Sequence, residues 1–223
     1  MNVLVEAAVD SFADALAAET EGAHRIELCG PLIDGGTTPS AGLIARCSER
    51  LLVSVYVLVR PRTGNFIYDD DEIAIMSKDI AVAKELGADG VVIGALTGHG
   101  DVDADRLAEL IAVAAPMRVG FHRAFDQLRD PEESLELLVS LQMDHILTSG
   151  GAPTALEGAG RIRQLVQRAG DRIGITAGGS LTAQNVLTLV EQTGVRTVHG
   201  RAFRGLAAAV LGESDSEGRP RKN

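Results

Sequence analysis

Five arginines, three acidic residues, two histidines and a cysteine fall inside or just beyond short β-branched runs: Glu6, Arg25, Glu27, Cys29, Arg60, Arg62, His122, Arg123, Asp126, His199 and Arg201. In a chain of net charge −10, five guanidinium groups gathered this way point to an anionic ligand, because the planar fork matches carboxylate and phosphate. Arg25 has an alternative, pairing with Glu27 or Glu6. Gly178-Gly179 and Gly200 precede or follow candidate helix starts, where free backbone N–H groups hold phosphate. They equally permit tight turns, and that is the preferred reading of Gly150-Gly151. Glu27 and His122 are the candidate acid–base pair, with Arg60, Arg62, Arg123 and Arg201 as anion holders.

Some chemistry is excluded. The three lysines are Lys78, Lys84 and Lys222, in a helical pattern and in the tail, so no strand end offers an amine for a Schiff base. There is no GxSxG elbow, no HExxH and no dinucleotide fingerprint after the first strand.

The elements that must position these groups alternate strictly. Strands begin near Asn2, Ala23, Leu51, Ala88, Met117, Met143, Arg172 and Val195. Helical spacing covers Asp10–Glu21, Ser40–Arg50, Asp70–Leu86, Asp103–Ala115, Pro131–Leu141, Thr154–Ala169 and Thr182–Thr193, with Asp10, Thr38, Asp130 and Thr182 as expected caps. Gly22–Cys29, Gly87–Gly94, Gln142–Ser149 and Gly194–Arg201 align without gaps at offsets of 65, 55 and 52 residues, each two strand–helix units. The expectation is eight strand–helix pairs around a parallel sheet.

Polar residues inside the strands decide whether that sheet closes. In Arg25-Ile26-Glu27-Leu28-Cys29 the apolar residues alternate with Arg, Glu and Cys. An open parallel sheet is covered on both faces and would bury those charges unpaired. A single (β/α)8 barrel over residues 1–212 instead turns them toward the lumen, near a solvated mouth at the strand C-termini. The same parity points Ser54, Tyr56, Leu58, Arg60, Gly120, His122, Gly174, Thr176 and His199 inward. His24 and His145 sit near strand starts and His99 in a loop, and all three read as structural or solvated. Only Leu206–Leu211 is left for a short final helix, and 213–223 is a polar tail expected to be disordered.

Composition narrows the partners. An acidic chain with no Trp, two Tyr and five Phe lacks both the basic surface and the stacking platform of a nucleic-acid binder. The longest apolar run, Leu51–Val59, is far short of the roughly 20 residues that span a bilayer, and no signal peptide is visible. Cys29 and Cys47 stand 18 residues apart, outside any CxxC pattern, as in a reducing cytosol.

Several strings go beyond pattern. Arg25-Ile26-Glu27-Leu28-Cys29, Gly35-Gly36-Thr37-Thr38-Pro39-Ser40, Val59-Arg60-Pro61-Arg62 with Gly64, Phe66 and Tyr68, Glu85–Val92, Phe121-His122-Arg123-Ala124-Phe125-Asp126, Leu147–Ala152, Ala177-Gly178-Gly179 and Val198-His199-Gly200 resemble the CutC family, named for copper homeostasis. The resemblance is collinear from Val3 to Gly200. It implies a cytoplasmic TIM-like barrel, often oligomeric, that binds or traffics copper, with no catalytic activity firmly attached. Three features depart from the family: Ser180 replaces a third glycine, Arg201 replaces a small residue, and the last helix is short. Cu(I) prefers thiolate or thioether ligands, and Cys29, Cys47, Met76, Met117 and Met143 are scattered. Cys29 with His199 is the candidate metal pair, a buried metal-free Cys29 being the alternative. Three functions therefore stand at this point: a copper-binding protein, a barrel enzyme acting on a small phosphorylated or carboxylated compound, and an interaction protein that assembles into a homo-oligomer.

Overall fold

The computed structural model describes residues 3–201 and 205–212, so the expected tail at 213–223 lies outside the described residues. Strands and helices alternate as β1 Leu4–Val9, α1 Phe12–Thr20, β2 Arg25–Leu28, α2 Ala41–Arg50, β3 Ser54–Leu58, α3 Asp70–Glu85, β4 Gly90–Ile93, α4 Ala104–Ala114, β5 Arg118–Phe121, α5 Pro131–Ser140, β6 His145–Thr148, α6 Ala159–Ala169, β7 Gly174–Gly178, α7 Val186–Thr193, β8 Thr197–Gly200 and α8 Leu206–Leu211. Each strand pairs in parallel with its sequence neighbour, and β8 returns to β1, closing a (β/α)8 barrel. Among the described residues no helix is long and apolar enough to cross a membrane.

Alternation within the strands produces two layers. Val5, Ile26, Val55, Val57, Val91, Phe121, Ile146 and Val198 are wholly or almost wholly buried and belong to one apolar cluster with the inner stripes of the helices, such as Ile73, Met76, Ile80 and Ala83 of α3. Burying a side chain of this size contributes roughly 1.5–3 kcal/mol. The opposite parity faces the lumen. Register sets Glu6 beside Arg25 on one side and His199 on the other, so charges that an open sheet would strand meet one another inside.

The lumen packs rings against glycines. A Cβ at Gly120 would stand 2.2 Å from His145 Cε1, and one at Gly94 would stand 2.4 Å from His122 Cε1. His145 therefore lies in the barrel interior, 4% exposed, with its ring centroid 5.8 Å from that of Tyr56. Of the two readings of this strand-start histidine the structural one applies, because Gly120 leaves room for the imidazole inside the barrel.

Local boundaries differ from the sequence expectation in four places. Ser11, not Asp10, caps α1, and the Asp10 carboxylate accepts the Leu32 N–H at 2.9 Å instead. Ser40 caps α2, while Thr38 Oγ1 takes the Arg60 N–H at 3.0 Å. Asp130 caps α5 as expected. Residues 154–158 form turns, because Ala155 donates to the Gly179 carbonyl at 3.0 Å and Gly158 lies so close to Ser149 that a Cβ would stand 1.9 Å from its carbonyl oxygen. Tertiary contact thus delays α6 to Ala159. Helix α7 likewise starts at Val186, four residues after the Thr182 expected to cap it.

His145 gives the fold a pH dependence. Burial, reinforced by the Arg25 charge and opposed by Glu6 and Asp144, pulls its pKa down to about 4. Below the unfolded value near 6.5 the unfolded chain takes up a proton that the folded chain refuses, so this group removes stability as pH falls toward 4 and has no effect above 7. Against His145→Phe, the wild type is expected to lose about 2 kcal/mol of relative stability between pH 7.5 and pH 5 in urea unfolding. A difference that does not change with pH would contradict this.

Candidate functional site

A cavity of about 490 Å³ opens at the C-terminal ends of the strands, lined on its polar side by Glu27, Cys29, Arg60, His122, His199 and Arg201 and on its apolar side by Leu58, Phe66 and Leu147. Beneath it sits a charged cluster from β8, β1 and β2. Glu6 is fully buried. Arg25 Nε donates to its Oε2, and its Oε1 lies 2.7 Å from His199 Nδ1. The same His199 nitrogen stands 3.5 Å from Glu27 Oε2. Glu27 Oε1 accepts from the Cys29 thiol at 3.7 Å. The Arg25 guanidinium lies 4.5 Å above the Tyr56 ring, which fixes its direction.

The two carboxylates are thereby driven apart in proton affinity. Burial works to raise the Glu6 pKa, but Arg25 and then His199 hold it well below the usual carboxylate range. Burial raises Glu27 above that range, and the negative charge of Glu6 adds to the effect against the pull of His199. Desolvation opposes a proton on His199, yet Glu27 and Glu6 together lift its pKa above the ordinary imidazole value. Glu6 is thus a fixed anion, while Glu27 and His199 are both shifted toward keeping a proton.

The remaining candidates separate by position. Arg60 lines the cavity with its terminal nitrogens on the Gly36 and Gly64 carbonyls, at 3.0 and 2.8 Å. Arg201 and Gly200 line it too, together with Gly179. Arg123 reaches the rim, but its guanidinium holds Asp126 and Ser149 Oγ, each at 2.7 Å. Two arginines depart from the expected rim. Arg25 lies below the cavity against Glu6, the alternative foreseen for it. Arg62 turns away to pair with Glu72 and the Ile67 carbonyl, because the chain has left β3 before reaching it. Gly178 packs on His199, where a Cβ would stand 3.2 Å from Cδ2. Glu27 meets His199, not His122. Ser180 lines the cavity as expected of the turn after β7, and so do Leu181 and Thr182, which only their place after β7 could have flagged.

The CutC family profile matches residues 3–204. The chain belongs to the CutC family. A CutC family protein of Xanthomonas axonopodis pv. citri is 45% identical over 207 residues, covering 93% of this chain and 86% of the relative. A mouse protein named copper homeostasis protein cutC homolog is 44% identical over 216 residues, covering 93% and 79%. A crystal structure from Streptococcus agalactiae, described as a copper homeostasis protein, CutC, superposes with a TM-score of 0.87 at 36% identity, covering 90% of this chain and 99% of that one. A phosphoribosylanthranilate isomerase from Thermotoga maritima, at 15% identity and a TM-score of 0.62 over 94% of this chain and 99% of its own, shares the barrel fold alone.

The CutC name raises copper, and the donor set can be tested against it. Among the described residues, Glu6, Glu27 and His199 form the group whose ligating atoms all fall within 4.8 Å of one another. Two oxygens and one nitrogen suit a hard or borderline divalent ion better than Cu(I). Cys29 stands outside that group as a donor to Glu27. Burial, then the neighbouring Glu27, pushes its thiol well above the usual range, so the soft thiolate is disfavoured where it would be needed. Cys47 is buried within α2, its thiol raised to about 11 by burial. With the Cys29 thiol protonated, the residues do not present a Cu(I) site within one chain.

Because Glu6 is buried and ionised, removing its partner should leave an uncompensated charge. Arg25→Met is expected to cost about 3–5 kcal/mol in urea unfolding at pH 7.5, and Arg62→Met very little, since its pair is at the surface. Equal losses would show that Arg25 does not compensate Glu6.

Proposed function

We propose that the mouth of this CutC-family barrel binds a small phosphorylated or carboxylated compound and moves a proton on it, with Glu27 and His199 as the acid–base pair. The observation that carries the reading is the 3.5 Å approach of a carboxylate of raised pKa to an imidazole of raised pKa in the wall of one cavity of ligand size. Glu6 keeps His199 oriented through its 2.7 Å contact. Arg201 and the backbone at Gly179 and Gly200, all lining the cavity, supply positive potential for the anionic part of the ligand. The reading includes a cytosolic setting, in which Cys29 and Cys47 stay reduced, and association into a homo-oligomer through surface apolar residues such as Leu16 and Leu187.

The test is consumption. Purified protein is incubated with a pool of small phosphorylated and carboxylated metabolites, and depletion is followed by mass spectrometry. At least one compound is expected to be consumed, and Glu27→Gln is expected to slow this by about 100-fold. No depletion, or depletion that Glu27→Gln leaves at the wild-type rate, would overturn the reading.

A second reading rests on the names of the relatives and on Cys29 in the cavity wall. Here the cargo is a copper ion held by Cys29 and His199 with Glu27, once the thiol proton is displaced. Anaerobic Cu(I) titration against a competing chelator decides it. Tight one-to-one binding that Cys29→Ser abolishes would establish it, and weak binding or binding indifferent to the substitution would remove it.

A further inference from the structure

Two buried N–H donors carried by residues of the cavity wall form no hydrogen bond among the described residues, the buried Tyr68 hydroxyl beside Arg60 being likewise without one. His122 is 4% exposed and Arg60 is 7% exposed, and both line the cavity. The Ala124 N–H donates to His122 Nδ1 at 3.2 Å, so the proton of a neutral ring belongs on Nε2, and Nε2 has no partner. Arg60 is clamped. Its Nη1 and Nη2 hold the Gly36 and Gly64 carbonyls, its guanidinium lies 4.8 Å over the Phe66 ring, and its Nε is the donor left without an acceptor. The Phe66 and His122 ring centroids are 4.8 Å apart, so Phe66 packs against both the imidazole and the guanidinium. Gly94 admits the imidazole, since any Cβ there would collide with it.

Leaving two buried donors unsatisfied is unfavourable, since each has given up its hydrogen bonds to water without replacement. In a ligand site such donors mark where an oxygen is to sit. His122 cannot serve as the proton donor of the pair first expected. Burial, then the charge of Arg60, holds its pKa down to about 3, so it stays neutral and donates a hydrogen bond without surrendering a proton.

We infer that His122 Nε2–H and Arg60 Nε–H together seat the carbonyl oxygen of the bound compound, and that the proton moved at the mouth is one on the carbon beside that carbonyl. The inference rests on the acid–base reading of Glu27 and His199. Glu27, ionised once its own proton has been released, takes the proton, and the C–H electron pair becomes the second bond of an enolate. The displaced carbonyl pair rests on the oxygen between the two N–H groups. Return of the proton to carbon or oxygen, from Glu27 or by way of His199, completes an exchange or an isomerisation in which nothing is oxidised. The substrate class is therefore a small anionic aldehyde, ketone or 2-oxo acid, its permanent charge toward Arg201 and its carbonyl toward β3 and β5.

The experiment has two readouts. Oxalate, a planar mimic of a 2-oxo acid enolate, is titrated calorimetrically. In parallel, a panel of 2-oxo acids and sugar phosphates is incubated in D2O and examined for carbon-bound deuterium. Oxalate is expected to bind the wild type, to bind His122→Phe about 10-fold or more weakly, and to regain most of that affinity with His122→Gln, which keeps an N–H. Glu27→Gln should retain oxalate and lose deuterium exchange. Long-range proton–nitrogen NMR of the wild type should show His122 neutral with its proton on Nε2 from pH 5 to pH 8, which decides the matter even where His122→Phe fails to fold. Absence of oxalate binding, unchanged affinity in His122→Phe, or a proton on Nδ1 overturns the seat. Metabolite consumption that needs Glu27 without exchange beside a carbonyl overturns this inference and leaves the acid–base reading standing. His122-dependent oxalate binding with no Glu27-dependent chemistry sinks the acid–base reading and the enolisation built on it.

Discussion

A fully buried carboxylate, Glu6, governs the architecture of this protein. An ionised group in a protein interior is costly unless it is paired and hydrogen-bonded, and Glu6 lies in the lumen with two basic partners from different strands. Arg25 comes from β2 and His199 from β8. The first is a neighbour in any parallel sheet. The second is the last strand of the chain, and it reaches β1 only if the sheet closes. Closure of the barrel and satisfaction of this charge are therefore one event, and the site at the mouth is assembled by the same event.

The division of labour between the two glutamates follows from how that charge is met. Arg25 spends its guanidinium on Glu6 and is fixed there by stacking on Tyr56. Glu27 shares the buried setting but is left with a weaker contact to His199 and a thiol donor. Two carboxylates of identical chemistry thus acquire opposite tendencies, one held ionised and one drawn toward protonation. That contrast is the physical basis for separate anchoring and proton-transfer roles.

Much of this was legible in the residues, and the failures have specific causes. The conflict of Arg25 and Glu27 with an open sheet was enough to argue closure, and strand adjacency in a closed barrel already placed β8, β1 and β2 together. Parity says which side chains face inward but not their height or rotamer, so His122 was paired with Glu27 although its ring is captured by the Ala124 N–H and the space over Gly94. Parity also fails where a strand ends. Arg62 shares the phase of Arg60, yet the chain leaves β3 at Leu58 and Arg62 pairs with Glu72 outside. The start of α6 differs because helical spacing continues through residues 154–158, while a backbone bond to Gly179 ties that segment to the turn after β7. Each miss is a tertiary contact overriding a local signal.

The same electrostatics bear on how the copper name of the relatives relates to the chemistry of the pocket. Seating a cation at Glu27 and Cys29 requires both groups to be deprotonated, and every local influence named for the thiol except the charge of Arg201 works against that. A proton-transfer site requires the reverse, a carboxyl that keeps its proton until a ligand arrives and an imidazole beside it that can share it. Burial of Glu27 and the fixed negative charge of Glu6 favour the second state, against the Cys29 thiol, whose donation to the carboxylate favours ionisation. The arginines act in the same direction, since Arg60 and Arg201 in the cavity wall raise the local potential, repelling a metal ion and attracting an anion. On the proposed reading the mouth of the barrel retains protons and receives negative charge, and a copper ion would have to displace the first and compete with the second.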